Sequence, residues 1–258
     1  MKRFALLGHQ ISYSKSPNIF ALMSKHLKLD FTYDLIDITP ASLDMLISEL
    51  KQGIYDGYNV TKPYKEIIMN YVDELTDEAR RIGAVNTIYV KHNKIVGDNT
   101  DYQGFEGLIK RNKINVKDKR VYILGTGGAA KACYHVLKDL EAKPTFVTRD
   151  ALKVNRDTIM YKELNIDDVD LYVQATPVGT YPHHKYSILD KKQVNQKFVI
   201  DLVYRPAQTK ILSYTKKGVN GVDMLMLQAL KSLSIWIDQD IKLTPTLYKK
   251  LKDVIISE

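Results

Sequence analysis

Apolar and polar residues along the chain fall into short continuous or alternating runs punctuated by glycine, proline and hydroxyl residues. Longer stretches with helical spacing lie between them, and this pattern predicts an α/β protein. Residues 3–7 read as a strand. Ser16 before Pro17 reads as an N-cap with proline at the first helical position, opening a helix to about residue 27. Residues 31–37 alternate as a strand, Thr39-Pro40 opens a capped helix ending before Gly53, and residues 57–61 form a strand end followed by a helix opened by Pro63. A strand near residues 83–90 turns at His92-Asn93 into residues 94–97, and a helix follows over about 102–110. Strands are predicted at 121–124, 143–149, 171–175 and 197–203, with helices from the glycines at 125–128 to about 140, over 208–217 closed by Gly218, from 224 to about 236, and after Thr244-Pro245. The apolar stripe at Met224–Met226 reads as packing.

The most informative of these joints is Gly125-Thr126-Gly127-Gly128-Ala129-Ala130, whose spacing fits G-x-G-x-x-A. A buried strand turning sharply at glycines into a helix leaves backbone N–H groups aimed where a pyrophosphate can be held; glycines here also serve tight turns and close packing. The next strand completes a β-α-β unit of the dinucleotide-binding kind. A domain that takes NAD usually carries a carboxylate at the end of that second strand, to accept the ribose 2′-OH. Here Thr148-Arg149 stands there instead, with Lys153 beyond it. Arginine pairs bidentately with a phosphate and stacks on adenine, so the expected cofactor is NADP. Asp150 either caps the next helix or repels the 2′-phosphate, and capping is the preferred reading.

Composition narrows the picture. The 258 residues suit one large or two ordinary domains, and 45% hydrophobic with 26% charged residues is a globular profile. No stretch approaches a membrane span and the first apolar run is too short for a signal-peptide core, so a cytoplasmic protein is expected. The single cysteine, Cys133, reads as a packed thiol. The net charge of +8 divides as −1 over residues 1–101, +9 over 102–221 and 0 over 222–258, so the excess lies in the segment with the glycine turn. That suits a polyanionic dinucleotide, and scattered surface lysines account for much of it equally well. There is no zinc-ligand spacing or other metal set, and no basic-aromatic stripe of the kind nucleic acid requires.

Polar side chains cluster where strands end, the usual place for a site in an open α/β sheet. Ser14 and Ser16, beside a helix N-terminus, offer donors to a carboxylate or serve only as caps. Asn59 and Thr61 follow a strand. Lys65, in the first turn of the helix predicted after Pro63, would sit against the helix dipole, which suggests a task rather than stability; a solvated lysine is the alternative. Asn86 lies near the start of its strand, Asp98 reads as a turn residue, and Asp101 precedes a helix.

Taken in order, Ser14-x-Ser16-Pro17, Asn59-Val60-Thr61-Lys62-Pro63-Tyr64-Lys65, Gly83-Ala84-Val85-Asn86-Thr87, Asp98-Asn99-Thr100-Asp101, Gly125-Thr126-Gly127-Gly128-Ala129 and Asp201-x-x-Tyr204-x-Pro206-x-x-Thr209 resemble the shikimate dehydrogenases along nearly the whole chain. The resemblance implies NADP-linked interconversion of 3-dehydroshikimate and shikimate. It also implies two domains: a substrate domain of residues 1–101 and 222–258 with a mostly parallel sheet, and a Rossmann-like NADP domain of residues 102–221. It assigns Ser14, Ser16 and Tyr204 to the substrate carboxylate with Thr61 beside them, adds Asn59 to the substrate site, and gives Lys65, Asn86, Asp101 and Gln228 the ring hydroxyls and the reacting oxygen. It makes Lys65 and Asp101 the catalytic pair. On the cofactor side it gives Gly125, Thr126, Gly127, Gly128 and Ala129 the pyrophosphate, Thr148, Arg149 and Lys153 the 2′-phosphate, and Thr176, Leu202 and Gly221 the nicotinamide end. A small-molecule substrate, no nucleic acid or membrane partner, and a monomer or homodimer are expected. Thr148, Asp150, Gln174, Asp223 and Ile237-Asp238 depart from the usual pattern, which bears on NADP preference and the nicotinamide pocket. The alternatives are a quinate/shikimate dehydrogenase with relaxed cofactor use and a ligand sensor without turnover; a folate-linked dehydrogenase is disfavoured by Ser14, Ser16 and Asn86.

Overall fold

The computed structural model describes residues 1–181 and 183–256. The chain divides into two compact units, one of Met1–Asp101 with residues 226–256, the other of Tyr102–Leu225.

The first unit contains β1 (Lys2–Gly8), α1 (Ser16–Leu27), β2 (Phe31–Asp37), α2 (Leu43–Lys51), β3 (Gly57–Val60), β4 (Glu74–Leu75), α3 (Asp77–Ile82), β5 (Thr87–Lys91) and β6 (Lys94–Asp98). Its sheet has the order β2-β1-β3-β5-β6-β4; β1 pairs in parallel with β2 and β3, while β5 runs antiparallel to β3 and β6. The strand β1 is buried on both faces, as its unbroken apolar run requires. Ala5 and Leu7 face a core that includes Leu43, Leu46 and Leu50 of α2, whereas Phe4 stacks on Trp236 at 4.4 Å. Strand order reverses between β1 and β3, so the loops after these two strands open onto one crevice.

The second unit holds α4 (Asp101–Arg111, from its second residue), β7 (Arg120–Leu124), α5 (Gly128–Asp139), β8 (Lys143–Thr148), β9 (Thr158–Met160), β10 (Leu171–Gln174), α6 (Lys191–Val194), β11 (Phe198–Asp201) and β12 (Gly218–Asn220). The helix α7 (Val222–Ile237) begins here and continues in the first unit, where α8 (Pro245–Ile256) packs beside α1. All five strand pairs are parallel, in the order β12-β11-β10-β7-β8-β9, with the reversal between β7 and β10. This is the doubly wound dinucleotide-binding order. One face is covered by Phe105 and Leu108 of α4, Ala130, Cys133, Val136 and Leu137 of α5, and Met224. Cys133 is therefore a packed thiol.

Four local expectations are corrected. Ser16 is the first residue of α1 and not its N-cap; its backbone N–H is received by Ser14 Oγ at 3.2 Å. Thr39 makes no side-chain cap, and residues Pro40–Ser42 form a 3-10 turn before α2. No α-helix opens at Pro63: turns run to Glu66 and a 3-10 helix covers Ile67–Tyr71. Tertiary bonds prevail there, since Tyr64 donates its hydroxyl to Ile38 O at 2.7 Å and Lys65 O accepts from Val85 N at 2.7 Å. Residues 208–217 hold only the 3-10 turn Leu212–Tyr214, and Gly218 begins β12 instead of closing a helix. Thr209 donates to buried Asp201, while Thr215 donates to Lys197 O at 2.8 Å, so both hydroxyls tie the segment to β11 and the residue before it. Among the described residues no helix is long and apolar enough to cross a membrane.

Candidate active site

Lys65 follows β3, and Asp101 is the first residue of α4. The lysine Nζ lies 2.5 Å from Asp101 Oδ2, with side-chain exposures of 18% and 7%, so both charges are largely withdrawn from water and each compensates the other. The carboxylate also sits at a helix N-terminus, where negative charge is favoured. The expected helix-dipole strain at Lys65 is absent because there is no α-helix at that point. What marks Lys65 is its buried partner.

Asn86, immediately before β5, holds the other oxygen. Its Nδ2 donates to Asp101 Oδ1 at 2.9 Å and to Thr100 Oγ1 at 3.0 Å, while its Oδ1 accepts from Thr100 N at 2.8 Å. The amide sense is thereby fixed. A substrate hydroxyl at Asn86 would share these groups rather than meet an idle amide.

Behind the pair lies a buried polar cluster. Asn59 Nδ2 reaches Ser232 Oγ at 2.9 Å, Thr87 Oγ1 at 3.1 Å and Asn86 O at 3.2 Å, and Asn59 Oδ1 accepts from the Tyr33 hydroxyl at 2.9 Å. Thr87, Thr100 and Ser232 bring their hydroxyls within 3.3 Å of one another. Ser232 also donates to Gln228 O at 3.0 Å, which ties the helix carrying Gln228 to the cluster. A buried network satisfied this fully is rigid, and it fixes the geometry of the groups at its edge. Ser14 donates to Ser16 at 3.2 Å beside the N-terminus of α1, and Asp37 holds their loop through Gln10 N at 3.0 Å and Ile11 N at 3.2 Å. Thr61 follows β3, its backbone N–H on Leu7 O at 2.9 Å.

The structure thus joins Asn59, Lys65, Asn86 and Asp101 in one bonded group, places Ser14, Ser16, Thr61 and Gln228 in the same unit, and puts Tyr204 in the second unit after β11. Tyr33, Thr87, Thr100 and Ser232 were not singled out from the sequence. The two threonines lie inside motifs already noticed, and Ser232 is a polar residue one helical turn after Gln228. Tyr33, on an alternating strand, gave no signal.

In the second unit the glycine turn fits a dinucleotide. Gly125 adopts φ +112°, where an added Cβ would also press on Thr176 at 3.0 Å, so β7 and β10 approach closely at the reversal of strand order. Gly127 is the N-cap of α5, and nothing lies within 4 Å of the Cβ it lacks, so there is open space beside the helix N-terminus, the kind of place where a pyrophosphate is held. Lys153 Nζ reaches Thr126 Oγ1 at 3.5 Å, Arg149 is exposed, and Thr148 Oγ1 accepts from Asp150 N at 3.1 Å. Asp150 caps the following 3-10 turn through Leu152 N at 3.0 Å. Gln174 holds the Thr176 turn through Thr176 N at 2.9 Å and Val178 O at 2.6 Å. Gly221 abuts Leu202, whose carbonyl oxygen would lie 2.1 Å from a Cβ.

The chain is similar to known proteins over nearly its whole length. The family profile described as the shikimate dehydrogenase substrate binding domain matches residues 6–88. An NADP(+) shikimate dehydrogenase of Clostridium beijerinckii is 36% identical over 96% of this chain and 97% of its own. The crystal structure of shikimate dehydrogenase 1 from Peptoclostridium difficile superposes with a TM-score of 0.90 at 35% identity, covering 100% of both chains. That of the Thermus thermophilus shikimate 5-dehydrogenase in complex with NADP(H) and shikimate does so with 0.86 at 28% identity, over 99% of this chain and 100% of that one. On full-length identity and a shared two-unit α/β fold, the chain belongs to the shikimate dehydrogenase family.

Proposed function

We propose that this protein catalyses the reversible NADPH-linked reduction of 3-dehydroshikimate to shikimate, with the first unit binding substrate and the second binding the dinucleotide. The observation that carries the proposal is the buried Lys65–Asp101 pair held by Asn86. Bound NADPH supplies the hydride. Reduction leaves negative charge on the former carbonyl oxygen, and the Lys65 ammonium gives that oxygen its proton while Asp101 orients it. In the oxidative direction a neutral Lys65 takes the proton back. Asn86, Gln228 and Asp101 hold the ring hydroxyls, since amide and carboxylate groups meet both the donors and the acceptors of a triol. Ser14, Ser16, Thr61 and Tyr204 serve the carboxylate with hydroxyl donors, and Asn59 shapes the site from beneath.

On the cofactor side, Gly125 to Ala129 take the pyrophosphate, and Thr148, Arg149 and Lys153 take the 2′-phosphate. Thr176, Leu202 and Gly221 border the nicotinamide. The relatives named NADP(+) shikimate dehydrogenase support NADP as the cofactor. The test is NADPH consumption, followed by absorbance, with 3-dehydroshikimate as oxidant. Turnover is expected; binding of shikimate without turnover would make the protein a ligand sensor, and equal oxidation of quinate would make it the broader enzyme.

A further inference from the structure

We infer that Gln174 is a positioning residue of the nicotinamide end of the dinucleotide site, its buried amide holding the turn at residues 176–178 in one place beside the glycine turn. The inference rests on the functional reading above, which gives the glycine turn to the pyrophosphate and Thr176 to the nicotinamide.

Gln174 is the last residue of β10, which pairs with β11 on one side and β7 on the other. Both neighbours hold the backbone here: Leu202 N donates to Gln174 O at 2.9 Å, and the next N–H, that of Ala175, donates to Leu124 O at 3.0 Å. From this fixed base the fully buried side chain reaches forward onto the loop that follows. Its Oε1 accepts from Thr176 N at 2.9 Å and from the Thr176 hydroxyl at 2.8 Å, while its Nε2 donates to Thr176 O at 3.1 Å and to Val178 O at 2.6 Å. A primary amide has two protons and two acceptor positions, and all four are used on two residues of one turn. The opposite amide sense would set Nε2 against Thr176 N, so the sense is fixed.

The consequence falls on Thr176. Its hydroxyl proton is given to Gln174 and its oxygen accepts from Val178 N at 3.3 Å, so the hydroxyl is engaged within the turn. Its methyl lies towards the glycine turn, where a Cβ on Gly125 would come within 3.0 Å of it and 3.3 Å of Ala175 O. The two turns are therefore the facing walls of the crevice where strand order reverses, the place an open α/β sheet takes its ligand. A buried amide with every bond made is rigid, so Gln174 sets where one wall stands. Leucine, close to glutamine in size, makes none of the four bonds.

Calorimetry with two ligands separates this role from general support of the fold: NADP+, and 2′,5′-ADP, which carries the 2′-phosphate but no nicotinamide. Gln174→Leu is expected to weaken NADP+ about ten-fold and 2′,5′-ADP less than about two-fold. It should also lower kcat with NADPH and 3-dehydroshikimate about ten-fold per site that still takes 2′,5′-ADP. Counting sites with 2′,5′-ADP removes any loss of folded protein. Gln174→Asn, which keeps the amide on a shorter stem, should fall between wild type and Gln174→Leu in both NADP+ affinity and kcat. Equal weakening of the two ligands, or NADP+ affinity and kcat unchanged in Gln174→Leu, overturns the role of Gln174 and leaves the functional reading intact. Loss of both ligands in both variants overturns it too, since Gln174 would then serve the fold alone. A wild type that binds neither ligand overturns the cofactor reading and the inference together.

Discussion

At the end of β8 Arg149 and Asp150 stand side by side in solvent with opposite charges. Arg149→Ala should weaken NADPH far more than NADH, on the order of 1.5–3 kcal/mol for a lost charge-assisted contact; equal weakening of both would make Arg149 a structural or adenine-facing residue. Asp150 already accepts from Leu152 N, and an exposed carboxylate is strongly screened, so Asp150→Thr should alter NADPH affinity less than about three-fold. A larger gain would point to repulsion. A buried carboxyl offers a pH test of stability. Burial pushes Asp201 up to about 7 from 3.8, against the hydrogen bonds from Thr209 and Val203 N that pull it down. The folded protein thus holds a proton between pH 3.8 and about 7 that the unfolded chain has lost, and stability falls as pH rises through that window. Asp201→Asn, which has no proton to lose, should show a shallower fall in Tm from pH 5 to 8; an unchanged slope would mean that Asp201 is ionised throughout. The glycine turn, Lys65 and Asp101 were legible in the sequence because each sits in a compact local motif. Tyr33 and Ser232 were not, because they meet Asn59 from 26 and 173 residues away.

Among the elements, α7 matters most to the site, since it carries both Gln228 and Ser232. Its far end is fixed by Trp236, which donates to Ile88 O at 3.2 Å and stacks on Phe4. The indole lies so close to β3 that a Cβ on Gly57 would come within 2.3 Å of Trp236 Nε1. Gly57→Ala should therefore destabilise the protein by about 1–3 kcal/mol, the usual cost of overpacking, and lower Tm accordingly. A Tm equal to wild type would show that the indole can withdraw and that α7 is less firmly seated. Most strands and the long helices were readable from period and punctuation, as with β1, α5 and the cap Thr244, which accepts from Leu247 N at 3.2 Å. Residues 63–66 and 208–217 misled because proline suits a first helical position and lysine and glutamine favour helix locally, whereas the bonds of Tyr64, Thr209 and Thr215 are tertiary.

At the scale of the whole molecule the chain builds one unit on a mixed sheet and one on a parallel sheet, and delivers polar residues at the reversal of strand order in each. The charge excess of +9 over residues 102–221 lies with the glycine turn and Arg149, while the polar cluster lies in the nearly neutral remainder. That division suits a polyanionic dinucleotide on one unit and a small hydroxylated acid on the other. The proposed reaction depends most on Lys65 as the group that moves the proton. The direct measurement is steady-state kinetics of Lys65→Met, similar in length but without a proton, with NADPH and 3-dehydroshikimate. If Lys65 moves the proton, kcat falls by roughly 10²–10⁴-fold with a much smaller change in KM. A variant that kept its kcat and lost only affinity would contradict it, leaving Lys65 an anchor and the proton to Asp101 or water.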